Sequence, residues 1–207
     1  MNILKSSLLD TRDLENLEIQ PIDRGYGPVK IQTYELEMTE GCHEAEKLFH
    51  KLLEDINICA PQSLGKYKSP TGNIKLIQDK RLLVHLRGPY NGPIIVEEAN
   101  ESYFRFSTLQ YHQEAGFIEF FLDKNRRDAI LKIRSTSRAG DKLFNIAFNY
   151  LPLGSKIQDA MWVGFLKKFK DIIKKQIDCK TTIQKKSEVI PYKQFHPQAY
   201  FLINMSS

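Results

Sequence analysis

From residue 74 to residue 138 the chain alternates between apolar and polar positions with a period close to two. Ile74 and Leu76 flank Lys75, and Leu82, Val84 and Leu86 alternate with residues that include His85. Ile94 and Val96 point one way and Glu97 the other, while Phe104 and Phe106 oppose Tyr103 and Arg105. Ile118, Phe120 and Leu122 oppose Glu119, and Leu131 and Ile133 oppose Lys132 and Arg134. Period two is the mark of strands with one face buried and one face wet. The polar connection Lys124-Asn125-Arg126-Arg127 between two such runs predicts a hairpin. These segments are therefore expected to form an antiparallel sheet covered on a single side.

An earlier run has the same character, with Tyr34, Leu36 and Met38 alternating with Glu35 and Glu37 after the turn Gly25-Tyr26-Gly27-Pro28. Beyond Gly41 the period changes: Ala45, Leu48, Phe49, Leu52, Leu53 and Ile56 fall on one stripe of a helix that begins near His43 and ends before Pro61. Residues 62–72, rich in Ser, Gly, Lys and Pro, read as a loop, and residues 142–153 as a short helix or turn. A long helix is predicted over 155–177 with Ser155 as its N-cap. Its stripe of Ile157, Ala160, Met161, Gly164, Phe165, Phe169, Ile172 and Ile173 is widened by Trp162 and Leu166. Ahead of the first strand, Asp10-Thr11-Arg12-Asp13 is suited to cap a short helix carrying Leu14 and Leu17.

A strand, a helix, about six antiparallel strands and a long helix give an α+β fold in which the sheet, of about seven strands, curves around the last helix. This is the helix-grip arrangement; a flat α+β sandwich with a filled core is its competitor on the same pattern. The expected division is an N-terminal extension over 1–27, a helix-grip domain over 28–178 and a C-terminal extension over 179–207. In that last part Tyr192, Phe195, Tyr200, Phe201 and Leu202 argue for docking onto the body.

Composition narrows the setting. At 207 residues with 42% hydrophobic and 27% charged positions, the chain fits a globular domain with a real core. No apolar run approaches the roughly 18 residues that span a bilayer, and the start lacks the apolar core of a signal peptide. A cytoplasmic protein without a transmembrane segment is expected. The cysteines, Cys42, Cys59 and Cys179, are odd in number and lack metal-ligand spacing, so neither a disulfide framework nor a metal site is expected, and no cofactor. The net charge of +5 is concentrated in Lys167, Lys168, Lys170, Lys174 and Lys175 and in Lys180, Lys185 and Lys186. Without a recognition motif this reads as the solvated face and C-terminal end of a helix rather than a specific nucleic-acid site.

Several short stretches resemble an uncharacterised family of unknown function found in bacteria and plants. They are Gly25-Tyr26-Gly27, Pro93-Ile94-Ile95-Val96-Glu97-Glu98 and Tyr103-Phe104-Arg105-Phe106-Ser107-Thr108-Leu109. More specific are His112-Gln113-Glu114-Ala115-Gly116, with Phe120 following, and Ile133-Arg134-Ser135-Thr136-Ser137-Arg138. That family is associated with the START-like, pollen-allergen-like helix-grip superfamily. It usually reads His-Pro-Glu-Ala-Gly-Glu-Glu and Ser-Phe-Ser-Arg-Pro at the last two places. Here Gln113 replaces the Pro, Phe117 and Ile118 the two Glu, and Ala139 the final Pro. The resemblance covers about half the chain and implies the helix-grip fold, without an activity to carry over.

Candidate chemistry centres on His112 and Glu114. At a strand entrance they could serve as general base and orienter or as two ligands of a metal, for which no third partner is visible, or form a turn in which Gly116 gives backbone freedom and Glu114 meets a cation such as Arg138. Arg138, with Ser135 and Ser137, could hold an anionic head group or bond backbone carbonyls at a corner. The expected ligand-binding set is Phe104, Phe106, Ile118, Phe120, Leu131, Ile133, Arg138, Met161 and Phe165. The leading expectation is a small soluble binding protein for an apolar or amphipathic small molecule held between sheet and long helix. A hydrolase- or cyclase-like enzyme using His112 and Glu114 on the same scaffold is the second, and a non-catalytic interaction module with a Lys-rich helix end the third.

Overall fold

The computed structural model describes residues 2–86, 91–142, 145 and 153–196. In chain order the elements are helix α1 (Asn2–Leu8), strand β1 (Tyr26–Thr39), helix α2 (Cys42–Glu54), strands β2 (Gly65–Lys68), β3 (Arg81–Leu86), β4 (Asn91–Ala99), β5 (Tyr103–Thr108), β6 (Glu114–Asn125) and β7 (Asp128–Ala139), helix α3 (Leu153–Lys174) and strand β8 (Lys180–Ile190). Among the described residues the strands form one eight-stranded sheet in the order β2-β3-β4-β5-β6-β7-β1-β8, with antiparallel pairing throughout.

The alternation seen in the sequence is the alternation of the two faces. Tyr34, Leu36, Met38, Leu82, Val96, Phe104, Phe106, Phe120, Leu122, Leu131 and Ile133 lie on the inner face and pack with Ala45, Leu48, Phe49 and Leu52 of α2 and Phe165, Leu166, Phe169 and Ile173 of α3. Phe120 is at the centre, stacked on Phe104 at 4.4 Å and meeting Trp162 and Phe165 at 5.6 and 5.5 Å. Each such side chain removed from water contributes roughly 1.5–3 kcal/mol, which makes this layer the chief stabilising element. A sheet gripping a long helix is the expected helix-grip architecture.

Four expectations are corrected. The segment 74–76 is not a strand; Leu76 turns inward and its amide bonds Leu53 O at 2.7 Å. The strand before β3 is instead Gly65–Lys68, inside the expected loop, where Gly65 and Tyr67 alternate with Lys66 and Lys68. Asn57 carries Tyr67 on its free edge, its side-chain oxygen accepting from Tyr67 N and its amide donating to Tyr67 O at 2.8 and 3.0 Å. Ser155 lies inside α3 and does not cap it. Nor is the sheet covered on one side only. Leu83, Ile95 and Leu109 are apolar on the outer face, and Leu14 and Leu17 from the N-terminal segment cover them. The segment expected as a helix or turn over 142–153 falls largely outside the described residues.

The N-terminal cap is found as the sequence suggests. Asp10 and Asp13 form a capping box around a 3-10 turn at Thr11–Asn16 that buries Leu14. At the other end of the chain, β8 was not anticipated as a strand; it pairs along β1 from Val29↔Ile190 to Thr39↔Lys180.

Replacing Phe120 by Ala should cost ~3–5 kcal/mol, since the packed aromatic cluster cannot collapse into the space. Val189→Ala, at a position 58% exposed, should stay within about 0.5 kcal/mol. Urea unfolding midpoints compare the two, and equal losses would contradict the placement of the core.

Candidate functional site

Strand register sorts the inner face into rows. Tyr34, Ile133, Phe120 and Phe104 stand side by side on β1, β7, β6 and β5. The next row is Gln32, Ser135, Ile118, Phe106 and Val96. Beyond it come Lys30, Ser137 and Gly116, with Glu114 at the start of β6. Within two rows the inner face changes from wholly apolar to polar. Because i and i+2 share a face, the run Leu131, Ile133, Ser135, Ser137 in β7 alone carries that change.

Glu114 is the centre of the polar end. The turn before it is pinned: His112 N bonds Leu109 O at 3.1 Å, Gly140 N bonds Gln113 O at 2.7 Å, and the buried Gln20 side chain donates to the carbonyls of His112 and Glu114 at 3.0 and 2.9 Å. Gly116 follows at φ 152°, where a Cβ would lie 2.2 Å from Thr136 O, so only glycine fits. The carboxyl of Glu114 is left on the inner face, accepting from Ser137 Oγ at 3.2 Å and, loosely, from Gln158 Nε2 of α3 at 3.4 Å. Gln158 also donates to Ser135 Oγ at 3.0 Å. Burial pushes the Glu114 carboxyl up to about 7, more than Ser137 and the charge of Lys30 pull it down. Burial likewise disfavours the ammonium form of Lys30, against the opposing charge of Glu114.

The His112 ring meets the backbone of Glu114 rather than its carboxyl. The imidazole Nδ1 lies 3.0 Å from the backbone N–H of Glu114, from which it can accept, and 3.1 Å from the Glu114 carbonyl. Burial holds this imidazole down to about 4, so it is a poor base at neutral pH. The ring sits over Gly92 of β4, where a Cβ would meet Nε2 at 2.9 Å. The turn reading is correct for His112, but the cation partner expected for Glu114 is not Arg138.

Arg138 lies on the outer face with Thr136 and Ala115, opposite in parity to Ser135 and Ser137. Its Nε and Nη1 donate to the carbonyls of Gly27 and Ile22 at 2.8 and 3.0 Å, and the guanidinium stacks 3.9 Å from the Tyr192 ring centroid. It is a corner tie between the two ends of the domain.

The other expected lining residues divide in two. Phe104, Phe120, Leu131, Ile133 and Phe165 are each 0% exposed and packed in the core. Phe106 and Met161 are buried at the boundary, Met161 over Gly65 of β2. Ile118 is half-buried on the inner face, as are Val84 and Trp162, which sequence reasoning had not placed in the site. Lys30, Gln32, Gln158, Asp159 and Lys185 were also missed. The signal for Lys30 and Gln32 was available, for they share the parity of Tyr34, Leu36 and Met38.

Asp159, one residue after Gln158, gathers a second polar group. Tyr34 OH donates to it at 2.6 Å, Gln32 Nε2 at 3.3 Å, and the Lys185 ammonium of β8 lies 2.6 Å away. Burial, then Asp159, raises the Tyr34 hydroxyl well above its ordinary range, so it acts as a donor.

Elsewhere an open groove of about 650 Å³ runs past Asp55, Asn57, Lys66, Lys68, Ser69 and Lys168. At the lysine-rich end of α3, Lys168 donates to Ala60 O at 3.3 Å and Lys170 pairs with Asp171 at 3.8 Å. Among the described residues no group of three or more His, Cys, Asp and Glu is placed to hold a metal ion, and no helix is long and apolar enough to cross a membrane.

No family model matches the chain, and no curated protein matches it. Solved structures do. Norcoclaurine synthase from Thalictrum flavum, a point mutant in complex with a transition-state analogue, matches at 10% identity over 72% of this chain and 98% of that chain, with a TM-score of 0.51. The di-domain ARO/CYC StfQ from the steffimycin biosynthetic pathway matches at 10% identity over 72% of this chain and 52% of that one, with a TM-score of 0.50. A conserved protein from Geobacillus kaustophilus reaches 17% identity over 72% and 98%, with a TM-score of 0.45. At identities this low, the matches with TM-scores of 0.51 and 0.50 show a shared fold alone, the helix grip.

The raised carboxyl sets a pH dependence. With a folded value near 7 against an ordinary 4.5, the fold favours the proton on Glu114, so stability is full below 4.5 and falls as pH rises from there to 7. Glu114→Gln removes that loss. The variant should match the wild type at pH 4 and exceed it by ~1–3 kcal/mol at pH 8, read from urea unfolding at both pH values. A variant destabilised at pH 8 would show that the ionised carboxylate is held favourably.

Proposed function

We propose that the protein binds an amphipathic small molecule between the inner face of the sheet and α3, with its apolar body toward Ile118, Val84, Phe106, Met161 and Trp162 and its polar end at Glu114. The observation that carries this reading is the division of one inner face into a closed aromatic half and a polar end. There Glu114, Ser135, Ser137 and Gln158 converge beside apolar side chains that keep open surface. A few convergent polar groups against an apolar wall are the usual composition of a small-molecule site. Norcoclaurine synthase holding a transition-state analogue, and ARO/CYC StfQ of a biosynthetic pathway, lend support by using this fold on small molecules. In this reading residues 28–178 hold the ligand, 1–27 and 179–207 are extensions, and the protein is cytoplasmic. It is also kin to the bacterial and plant family whose two motifs it carries in altered form.

A second reading adds chemistry. A carboxyl near 7 on the inner face is poised to take up and return a proton, which suits hydrolase- or cyclase-like acid–base catalysis on the bound molecule. That reading rests on Glu114 alone, because His112 is engaged by the backbone.

Trp162 is the single tryptophan and borders the site, so its emission reports occupancy. Titration with the neutral fluorophore 1-aminoanthracene should give saturable one-to-one binding with quenching of Trp162, displaced by decan-1-ol. Ile118→Trp, which enlarges a half-buried side chain on the inner face, should abolish binding while urea unfolding stays cooperative. Non-saturable binding, or binding untouched by that substitution, would refute the proposed location.

A further inference from the structure

The polar end contains two acids, and they are served differently. Asp159 has an ammonium 2.6 Å away, from Lys185, together with the Tyr34 hydroxyl at 2.6 Å and the Gln32 amide. Glu114, deeper among protein atoms, is held by two neutral donors at 3.2 and 3.4 Å. Hydrogen bonds to an ionised carboxylate from a hydroxyl are typically ~2.5–2.7 Å and from an N–H ~2.7–2.9 Å, so both contacts are slack. A carboxylate taken from water with such partners is poorly compensated and favours either a proton or a cation. Lys30 acts on it through its charge, but burial disfavours that charge too.

We propose that the ligand is an amphipathic primary amine, whose ammonium pairs with the Glu114 carboxylate as Lys185 pairs with Asp159, and whose hydrocarbon body lies along Ile118, Val84 and Trp162. This rests on the binding reading above and names the ligand class for the same site. Ser135, Ser137 and Gln158 are then available to turn toward the ammonium or toward a ligand hydroxyl, since hydroxyl and amide groups both donate and accept. The charged and titratable groups around Glu114 are Lys30 on β1, His112 in its own turn, Asp159 on α3 with Lys185 of β8, and Tyr34. Between pH 6 and pH 8 His112 stays neutral and Tyr34 stays protonated. Amine binding should therefore strengthen as Glu114 ionises.

The experiment titrates decylamine, decan-1-ol and decanoate against the full chain and the Glu114→Gln variant, following Trp162 emission at pH 6 and pH 8. For a group titrating near 7, the ionised fraction rises about tenfold over that interval, so decylamine affinity should rise by up to about tenfold while that of decan-1-ol stays flat. Glu114→Gln should remove the pH effect and weaken decylamine by tenfold or more at pH 8, and should weaken decan-1-ol by much less. Decanol binding as tightly as decylamine, decanoate binding more tightly than either, or decylamine binding unaffected by the variant would each overturn the amine assignment while leaving the binding site standing. Failure of all three molecules to bind would overturn both.

Discussion

The register of β7 between β1 and β6 governs the rest of the molecule. It places Leu131 and Ile133 beside Leu36 and Tyr34 on one side and Leu122 and Phe120 on the other, and so assembles the apolar rows that α2 and α3 cover. The same register continues into Ser135 and Ser137, opposite Gln32 and Lys30, and so carries a polar stripe into the interior. A slip of one residue would send both sets to the outer face, and the buried aromatic layer is what forbids it. The helix has to match. In α3, Gln158 and Asp159 lie against the polar rows, and Phe165, Phe169 and Ile173 against the apolar ones. Sheet and helix thus agree residue by residue along the length of the grip.

That agreement leaves one electrostatic imbalance. Polar groups inside a protein are normally paired because the loss of water is costly, and most of the stripe obeys this. Glu114 does so only weakly, although the backbone that presents it is held by several hydrogen bonds. Gln20, Gly116 and Gly140 all serve to fix the turn, and Gly92 makes room for the His112 ring. A rigid mount for an under-compensated carboxyl costs stability at neutral pH, which is the pattern expected where a site is organised for something other than the fold itself.

Much of the fold was legible because the inner face obeys a simple period. Phe104, Phe106, Ile118, Phe120, Leu131 and Ile133 were read inward and are inward. The strands that escaped notice, β2 and β8, are edge strands whose Lys, Thr and Ser content imitates a loop, since one edge and often both faces meet water. The site was half legible. Glu114 drew attention, but its companions were misassigned: Arg138 was grouped with Ser135 and Ser137 although its parity already set it on the other face. Parity would also have brought in Lys30 and Gln32. Gln158 and Lys185 were beyond reach, because no local spacing predicts contacts with Glu114 and Asp159 across 44 and 26 residues.

The last of those contacts changes how the C-terminal segment is understood. β8 adds to the edge of β1 by backbone bonds that any extended chain could make, and most of its side chains face solvent. Lys185 is different, for it crosses from β8 to Asp159 on α3 and lies 5.8 Å from the Tyr34 ring centroid. Through that pairing the segment neutralises one acid of the stripe and ties the helix to the sheet at the polar end, near Gln158. Removing the Lys185 charge would leave Asp159 with neutral donors only, the condition in which Glu114 already stands. The difference between the two acids, on which the choice of ligand class depends, is therefore supplied by a strand beyond the helix that the fold is named for.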